Sequence, residues 1–362
     1  MSIPRRYPLL ALLAAGALTL SACGSTPEAS GGQAPQSPAQ DTEAVEQDTL
    51  EVLASFYPLE YVVQQVGGDL VSVSSMTPEG ADPHDLELSP RQVRTVSEAD
   101  VVVYLSGFQA AVDEAIVSRE PEHLLDTAQA ARLVPYTGGG DLHDHDHGDD
   151  EHAEDEHGHE GEEHAEDEHG HEGEEHAEEE VAEEEHAADG EVLDPHFWLD
   201  VERLAAVGHE VARVLGAAAP EHAQTFLDRA DALEADLSSL DQEFAEGLAQ
   251  CERGIVVTPH AAFGYLLDRF GLQHVGIAGI DPETEPSPAR LREIGDVVRE
   301  HGVTTIYAES AVNPQVTQIL ARDLGVDTGV LDPIETLAED MTDYREVMES
   351  NLAALRAGLG CA

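Results

Sequence analysis

Short apolar runs alternate with amphipathic segments along the chain from Thr49 onward. In the first half, residues with β propensity cluster at 51–56, 71–76 and 101–105, whereas 59–66 and 89–98 show helical spacing. The alternation returns after residue 254, where we predict strands at 255–258, 274–277, 304–307 and 329–331. Strands that alternate with helices indicate parallel sheets covered by helices on both faces. The pattern therefore predicts an α/β fold with two such sheets.

A long helical region lies between the two alternating segments. The pattern predicts one helix over Val201–Leu215 and an almost unbroken amphipathic helix over Pro220–Gln250. The second helix carries an apolar stripe formed by Phe226, Leu233, Leu237, Leu240, Phe244 and Leu248. A helix of roughly 30 residues reaches ~45 Å, enough to run the height of two stacked domains. We therefore predict two α/β domains, at 49–218 and 251–362, joined by one long rigid helix at 219–250.

The residues before the first strand predict export and a lipid anchor. Arg5 and Arg6 precede an apolar run that is too short to span a bilayer comfortably, as a secretory signal would be. Because Cys23 follows Leu-Ser-Ala, the segment resembles a bacterial lipoprotein signal, in which the cysteine becomes acylated; an ordinary signal peptide with an incidental cysteine is the alternative. We expect a signal peptide at 1–22, a flexible tether at 23–48, and anchorage to the outer face of the cell membrane.

The charge of the chain favours cations as ligands. The net charge is −58, and 25 of the 75 acidic residues lie within 141–190, which contains no Arg or Lys. Nucleic acid is excluded as a partner, because phosphate contacts need clustered basic side chains. If Cys23 is acylated, Cys251 and Cys361 remain as one candidate disulfide pair, which an oxidising compartment permits.

An acidic, histidine-rich segment interrupts the first half of the chain. A twelve-residue unit, EHAEDEHGHEGE, occupies 151–162 and again 163–174. Such a composition offers nothing to bury, so we expect a disordered loop over 138–191. Imidazole binds zinc, copper and nickel, and carboxylates raise the local cation concentration, so the loop is expected to collect metal; an acidic spacer without a metal role is the alternative. The candidate loop ligands are His143, His145, His147, His152, His157, His159, His164, His169, His171, His176 and His186.

Three of the eight histidines outside the loop share one local pattern. They occur in the tripeptides that end at His84, His196 and His260, each of which has proline directly before the histidine. Proline fixes φ and biases its predecessor toward extended backbone, so each histidine leaves its strand or loop in a preset direction. A fourth site, Asp332-Pro333, follows a predicted strand, and ligands of open α/β folds collect at the carboxyl ends of strands.

Three imidazoles and one carboxylate suit a tetrahedral Zn²⁺. We therefore predict that His84, His196, His260 and Asp332 hold zinc in the cleft between the two domains. Nearby acids would fix the histidine tautomers, and the candidates are Asp85, Asp194 and Glu309. The remaining histidines have ordinary contexts: we expect His274 to be packed and the others, His123, His209, His222 and His301, to be solvated.

The segments around these residues resemble the metal-binding solute receptors of ATP-driven zinc importers. The resemblance extends from about Thr49 to Cys361 and rests on four motifs in the same order: Thr77–Asp85, Asp194–Asp200, Thr258–Leu266 and Glu285–Pro288. It implies two α/β domains joined by one long helix, with the metal in the cleft. It places the first three ligands on His84, His196 and His260, and the fourth on a carboxylate matching Asp332 or on a water. The family's manganese and iron members typically carry Glu at the third position, so His260 favours Zn²⁺ over Mn²⁺.

The resemblance implies a binding protein and not an enzyme. We expect a monomeric extracytoplasmic receptor that captures Zn²⁺ and delivers it to an ABC-type membrane permease. One alternative is an extracellular zinc store or adhesin that has no permease. Another is a zinc hydrolase, which needs a general base such as the Glu of H-E-x-x-H, and that motif does not occur. Because zinc needs neutral imidazoles, its affinity should fall below pH ~6.5.

Overall fold

The structure is a computed structural model that describes residues 49–136, 192–309, 314–337, 341 and 343–362. The predicted signal peptide, the tether, Cys23 and the eleven loop histidines lie outside the described residues. Within the described part of the chain, no helix combines the length and the apolar character needed to cross a bilayer.

The first sheet consists of four parallel strands in the order β2-β1-β3-β4. Its strands are β1 (Leu50–Ala54), β2 (Val71–Ser75), β3 (Val101–Tyr104) and β4 (Leu124–Asp126), and its helices are α1 (Tyr57–Gly67), α2 (Pro90–Thr95), α3 (Ala110–Arg119) and α4 (Ala128–Ala131). Every residue of β3 is buried, because helices cover both faces of this central strand. At the start of α2, Ser89 and Gln92 form a capping box that satisfies backbone N–H groups of the first turn.

Two long helices connect the first sheet to the second. A short 3₁₀ turn, Phe197–Leu199, leads into α5 (Val201–Ala218), and α6 (Ala223–Leu248) follows a second 3₁₀ turn. The 26 residues of α6 span about 39 Å. The buried face of α6 is the predicted apolar stripe with Ala230 added: Phe226, Ala230, Leu233, Leu237, Leu240, Phe244 and Leu248. A long connecting helix of this kind is consistent with the predicted architecture.

The second sheet repeats the topology of the first, in the order β6-β5-β7-β8, and is also parallel. Its strands are β5 (Ile255–Thr258), β6 (Gln273–Gly276), β7 (Thr305–Ala308) and β8 (Asp327–Val330). Its helices are α7 (Gly264–Arg269), α8 (Pro288–Glu300), α9 (Gln315–Leu324) and α10 (Tyr344–Leu359). The predicted fold class, two parallel sheets flanked by helices, is confirmed.

One apolar core runs from the first sheet through α5 and α6 to α10. Charged contacts join the same elements: Arg269 of α7 pairs with Glu202 of α5 and with Asp241 of α6. A disulfide joins Cys251 to Cys361, which ties the start of the second half to the end of the chain. Because the core is continuous across the connecting helices, the exact bounds drawn between two domains stay a prediction.

The pattern missed one of the described strands and displaced the bounds of several others by one or two residues. The strand β4 is only three residues long and has one buried side chain, so it shows too little alternation to be recognised. The strand predicted at 329–331 lies at Asp327–Val330, because Leu331 already belongs to the segment that leaves the sheet.

Candidate metal centre

Three imidazole nitrogens converge on one carboxylate oxygen. The Nε2 atoms of His84 and His196 each lie 3.2 Å from Oε1 of Glu335, and Nε2 of His260 lies 3.3 Å from the same oxygen. One ligand atom from each of these four residues falls within 4.8 Å of all the others. We call His84, His196, His260 and Glu335 the four-residue site.

These distances fit a single tetrahedral ion. Zinc binds imidazole nitrogen and carboxylate oxygen at about 2.0–2.2 Å, so two ligand atoms on one tetrahedral zinc lie about 3.4 Å apart. The three N–O distances in the site, 3.2, 3.2 and 3.3 Å, are close to that edge length. The imidazole rings also face each other closely, with centroids 5.3–6.0 Å apart. The site can therefore accept a tetrahedral cation with little rearrangement of its ligands.

The carboxyl ends of strands supply three of the four ligands. His260 follows β5 after one proline, and Glu335 lies in the segment that leaves β8. His84 stands on a loop after β2, well beyond the end of that strand at Ser75. His196 instead lies just before the 3₁₀ turn that leads into α5. The site is thus built from segments that lie up to 251 residues apart in sequence.

Buried carboxylates orient two of the histidines. Nδ1 of His196 donates to Asp194 at 2.8 Å, and Nδ1 of His260 donates to Glu309 at 2.7 Å. A donor hydrogen bond at Nδ1 leaves the lone pair of Nε2 free for a metal and raises the basicity of the ligand. Of the three acids considered as orienting groups, the structure brings Asp194 and Glu309 to histidine rings. It does not do so for Asp85, whose side chain interacts with Glu283 instead.

The acidic neighbours hold protons on the buried imidazoles. Burial lowers the pKa of His260, but the charge and hydrogen bond of Glu309 and the hydrogen bond of Glu335 outweigh it and raise that pKa to about 10. At His196, burial also lowers the pKa, whereas hydrogen bonds to Asp194 and Glu335 raise it to a value above the usual one. Burial raises the pKa of Glu335, but hydrogen bonds from the three imidazoles hold it well below its usual range. A cation that enters the site must therefore displace protons.

The structure differs from the sequence-based expectation at the fourth ligand. It brings Glu335 to the three histidines, whereas Asp332 does not belong to the group. The carboxylate of Asp332 accepts a hydrogen bond from the backbone N–H of Ile334 at 2.7 Å. Its backbone N–H and C=O bond to the side chain of Asn351 at 2.8 Å. Ile334 has φ of 59°, a left-handed conformation that is unusual for a β-branched residue, and these bonds hold it there. Asp332 thus shapes the loop that presents Glu335.

No feature of the sequence pointed to Glu335. The proline at 333 drew attention to the residue before it, whereas in the X-Pro-His tripeptides the predicted ligand follows the proline. The bend at Ile334 turns the residue two places after Pro333 into the site. That bend depends on tertiary hydrogen bonds to α10, which a local pattern does not reveal.

Aromatic side chains form one wall of the site. The ring of Phe108 meets the ring of His84 edge-on at 4.8 Å, and the ring of Trp198 lies 5.2 Å from that of His196. Phe56 is fully buried and packs against both Phe108 and Trp198, at 5.1 and 5.0 Å. The indole N–H of Trp198 donates to the carbonyl of Pro333 at 2.7 Å, which ties the wall to the segment that carries Glu335.

A second group of potential ligands has the contacts of a surface ion pair. His209 of α5 lies 2.9 Å from Glu234 and 3.9 Å from Asp231 of α6, and the side chains of all three are more than one-third exposed. His274, which we expected to be packed, is bonded through Nε2 to the hydroxyl of Thr258 at 2.7 Å. Burial lowers the pKa of His274 to about 3, so this ring stays neutral.

A sequence model of a known family covers most of the chain. The family is described as ZnuA, the periplasmic component A of the zinc-uptake complex, and its model matches residues 52–358. The chain belongs to the ZnuA family. This family is one of zinc-uptake components and not of enzymes.

Relatives of this chain include zinc-binding proteins of Streptococcus pneumoniae and Bacillus subtilis. It is 32% identical over 316 residues to the zinc-binding lipoprotein AdcA of Streptococcus pneumoniae strain R6, a match that covers 85% of this chain and 55% of AdcA. It is 28% identical over 367 residues to the high-affinity zinc uptake system protein ZnuA of Bacillus subtilis, covering 98% of each chain. The chain therefore spans about half the length of the AdcA relatives that it matches.

Solved structures share the fold. The laminin-binding protein Lmb of Streptococcus agalactiae, described as a bifunctional protein with adhesin and metal-transporting activity, superposes with a TM-score of 0.67 at 27% identity. That match covers 86% of this chain and 99% of Lmb. Zn(II)-bound AdcA from Streptococcus pneumoniae superposes with a TM-score of 0.63 at 27% identity, over 86% of this chain and 58% of AdcA.

Proposed function

We propose that this chain is the extracytoplasmic receptor of a zinc importer, which binds one Zn²⁺ in the four-residue site and delivers it to an ABC-type permease. The observation that carries the proposal is the convergence of three Nε2 atoms on one oxygen of Glu335 at 3.2–3.3 Å. Membership in the zinc-uptake family and the zinc-bound structure of AdcA support the same metal.

The donor set favours Zn²⁺ over harder cations. Three imidazoles and one carboxylate match the ligands and the coordination number that zinc prefers, whereas Mn²⁺ and Mg²⁺ favour more oxygen ligands. The site is also largely shielded from solvent: His196 and His260 are fully buried, and Glu335 is nearly so. With neutral imidazoles, the carboxylate of Glu335 offsets one of the two positive charges of a zinc ion, and Asp194 and Glu309 place further negative charge behind two of the rings.

The same arrangement argues against zinc hydrolysis. A catalytic zinc keeps a position open for water and needs a base beside it. In this chain Glu335 occupies the fourth position, and Glu309 is already engaged with Nδ1 of His260. The four protein ligands therefore suit capture and release of the ion.

The remaining parts of the chain have roles that follow from their composition. We propose that acylated Cys23 anchors the receptor to the outer face of the membrane and that 23–48 acts as its tether. The eleven loop histidines would collect zinc near the site. The two domains would divide near 218 and 251. The receptor would act as a monomer. The helix α6, as the long connection, would limit hinge opening between the two halves.

Transport is tested by deletion and complementation. We expect a deletion strain to lose growth under zinc limitation, and to regain it with the wild-type gene but not with a His196→Ala, His260→Ala double variant. A zinc store or adhesin would bind zinc equally well, but its loss would leave uptake of radioactive zinc unchanged. That outcome would contradict the receptor and favour an adhesin activity such as the one described for Lmb.

A further inference from the structure

His84 is held differently from the other two histidines. Among the described residues, Glu335 is the only carboxylate that pairs with its ring, whereas His196 and His260 each have a second carboxylate at Nδ1. The side chain of His84 is 10% exposed, and those of the other two are fully buried. The position of His84 must therefore depend on the loop that carries it.

That loop has no regular structure of its own. Between Ser75, where β2 ends, and Pro90, where α2 begins, the backbone forms only turns and bends, and Gly80 has φ of 74°. The residues 78–80 at its tip are exposed. A loop of this kind keeps one geometry only if contacts from elsewhere fix it.

A buried amide cross-links the two ends of the loop segment from Thr77 to Pro83. Gln109, at the N-cap position of α3, is 1% exposed, and its Nε2 donates to the hydroxyl of Thr77 at 2.9 Å and to the carbonyl of Pro83 at 3.2 Å. The hydroxyl of Thr77 donates to the carbonyl of Ser55, at the end of β1, at 2.8 Å. A carbonyl accepts only, so the amide must turn its NH₂ group toward Pro83, the residue directly before His84.

The orientation of Gln109 is maintained although it leaves one polar atom unpaired. Its Oε1 is buried and has no hydrogen-bond partner among the described residues. Buried unpaired acceptors are unfavourable and uncommon in native proteins. Phe108, the preceding residue, contacts the ring of His84, so this two-residue segment holds both the backbone and the ring of the ligand.

We propose that Gln109 is a positioning residue for zinc binding: its buried amide braces the His84 loop and thereby slows release of the ion. This inference rests on the proposed function, because it assumes that zinc occupies the four-residue site. Gln109 contacts no ligand side chain, and it acts through the backbone of Pro83 and the hydroxyl of Thr77. Its loss would leave the carbonyl of Pro83 without this donor and the hydroxyl of Thr77 with its bond to Ser55 alone, so the loop would be free to move.

The test compares Gln109→Met with a matched control, Val112→Ala, in the full-length chain. Methionine keeps the length of the side chain but cannot donate. Val112 is buried on the same helix in an apolar cluster with Met76, against which Leu86 and Leu88 of the loop pack, so its truncation weakens packing beside the loop without removing a hydrogen bond. Two quantities are measured: the rate at which zinc passes to a chelator, and the visible absorption of the Co²⁺-loaded protein, which reports tetrahedral coordination. Every variant retains the histidine-rich segment, which is expected to bind metal as well. The part of each measurement that is lost in His196→Ala is therefore assigned to the four-residue site.

We expect Gln109→Met to release zinc about tenfold faster and to weaken the tetrahedral Co²⁺ spectrum, while Val112→Ala changes neither. Thr77→Val, which removes the other end of the brace, should show a smaller effect in the same direction and serves if Gln109→Met does not fold. Equal release rates and spectra in the wild type, Gln109→Met and Thr77→Val would overturn the proposal that Gln109 braces the His84 loop. If His196→Ala, introduced alone into the wild-type chain, changes neither the release of zinc nor the Co²⁺ absorption, the proposed function itself fails.

Discussion

The two sheets share one topology but carry different side chains beyond the ends of corresponding strands. Two residues beyond the end of β1 lies Phe56, a fully buried aromatic side chain, whereas two residues beyond β5 lies His260, a ligand. Phe108 follows β3, and Glu309 directly follows β7. The first sheet therefore supplies an aromatic wall where the second supplies a ligand and the carboxylate that supports it.

The two sheets therefore contribute different residues to the site. Three residues of the site lie in segments that leave strands of the second sheet. They are the ligand His260, the carboxylate Glu309 that orients it, and the fourth ligand Glu335. The first sheet adds one ligand, His84, on a loop braced by hydrogen bonds to its backbone. Topology alone does not distinguish the two halves, because function resides in the side chains at the strand ends. The second sheet should therefore control affinity, and the first should control exchange of the ion.

Removal of the second-sheet ligand should have the largest effect. We expect His260→Ala to lower the zinc affinity of the four-residue site by more than about 100-fold, because it removes a buried ligand and leaves Glu309 without its partner. His84→Ala should cost less, since that ring is partly exposed and has no second carboxylate. Competition with a chelator measures both affinities. Equal losses in the two variants would show that the sheets contribute alike.

The next effect separates the two acids that follow β8. Glu335→Gln should lower zinc affinity by about 100-fold, because a neutral amide replaces the carboxylate that all three imidazoles share. Asp332→Asn should change it by less than about tenfold, since Asn retains an acceptor for the backbone of Ile334. The loss of tetrahedral Co²⁺ absorption provides an independent measurement. A larger effect from Asp332→Asn would restore the ligand set expected from sequence.

A smaller effect should come from the carboxylates behind the ligands. Glu309→Gln keeps an acceptor for Nδ1 of His260 but removes its charge, and outer partners of this kind typically contribute 10- to 100-fold in metal affinity. Asp82→Asn is the control in the first half, because Asp82 bonds the backbone N–H of His84 at 2.8 Å and not the ring. Zinc affinities of the two variants, measured side by side, should differ at least several-fold. Similar values would contradict the unequal roles of the two sheets.

The sequence predicted the parts of this comparison that depend on local pattern. The alternation of apolar runs with amphipathic segments predicted both sheets, because buried parallel strands are continuous apolar segments. The X-Pro-His pattern found all three histidines that the structure brings together. It did not find Glu335, whose approach depends on the bend at Ile334 and on bonds to Asn351. Nor did it find Gln109, since a lone glutamine before a helix has no distinguishing spacing. Tertiary contacts decide both positions.

The most general prediction concerns pH and depends on the second sheet. The pKa of His260 is raised to about 10 by Glu309 and Glu335 against the effect of burial, so the metal-free site binds a proton that zinc must displace. Zinc affinity should therefore rise with pH up to about 10, by about tenfold per unit for each proton displaced, and not level off above ~6.5 as free imidazole would. In the absence of metal, the free energy of unfolding changes with pH in the direction opposite to that of the zinc affinity. The raised pKa of His260 stabilises the fold fully below pH ~6.5, and this contribution is lost as the pH rises through about 10.

Calorimetry in buffers of different ionisation enthalpy counts the released protons directly. We expect zinc binding near pH 8 to release at least one proton in the wild type and fewer in Glu309→Gln, because the neutral amide no longer holds a proton on His260. Asp82→Asn should match the wild type, since its carboxylate faces backbone and not a buried ring of the second sheet. Proton release that is unchanged in Glu309→Gln would place the displaced proton on other groups and remove the electrostatic distinction between the two sheets.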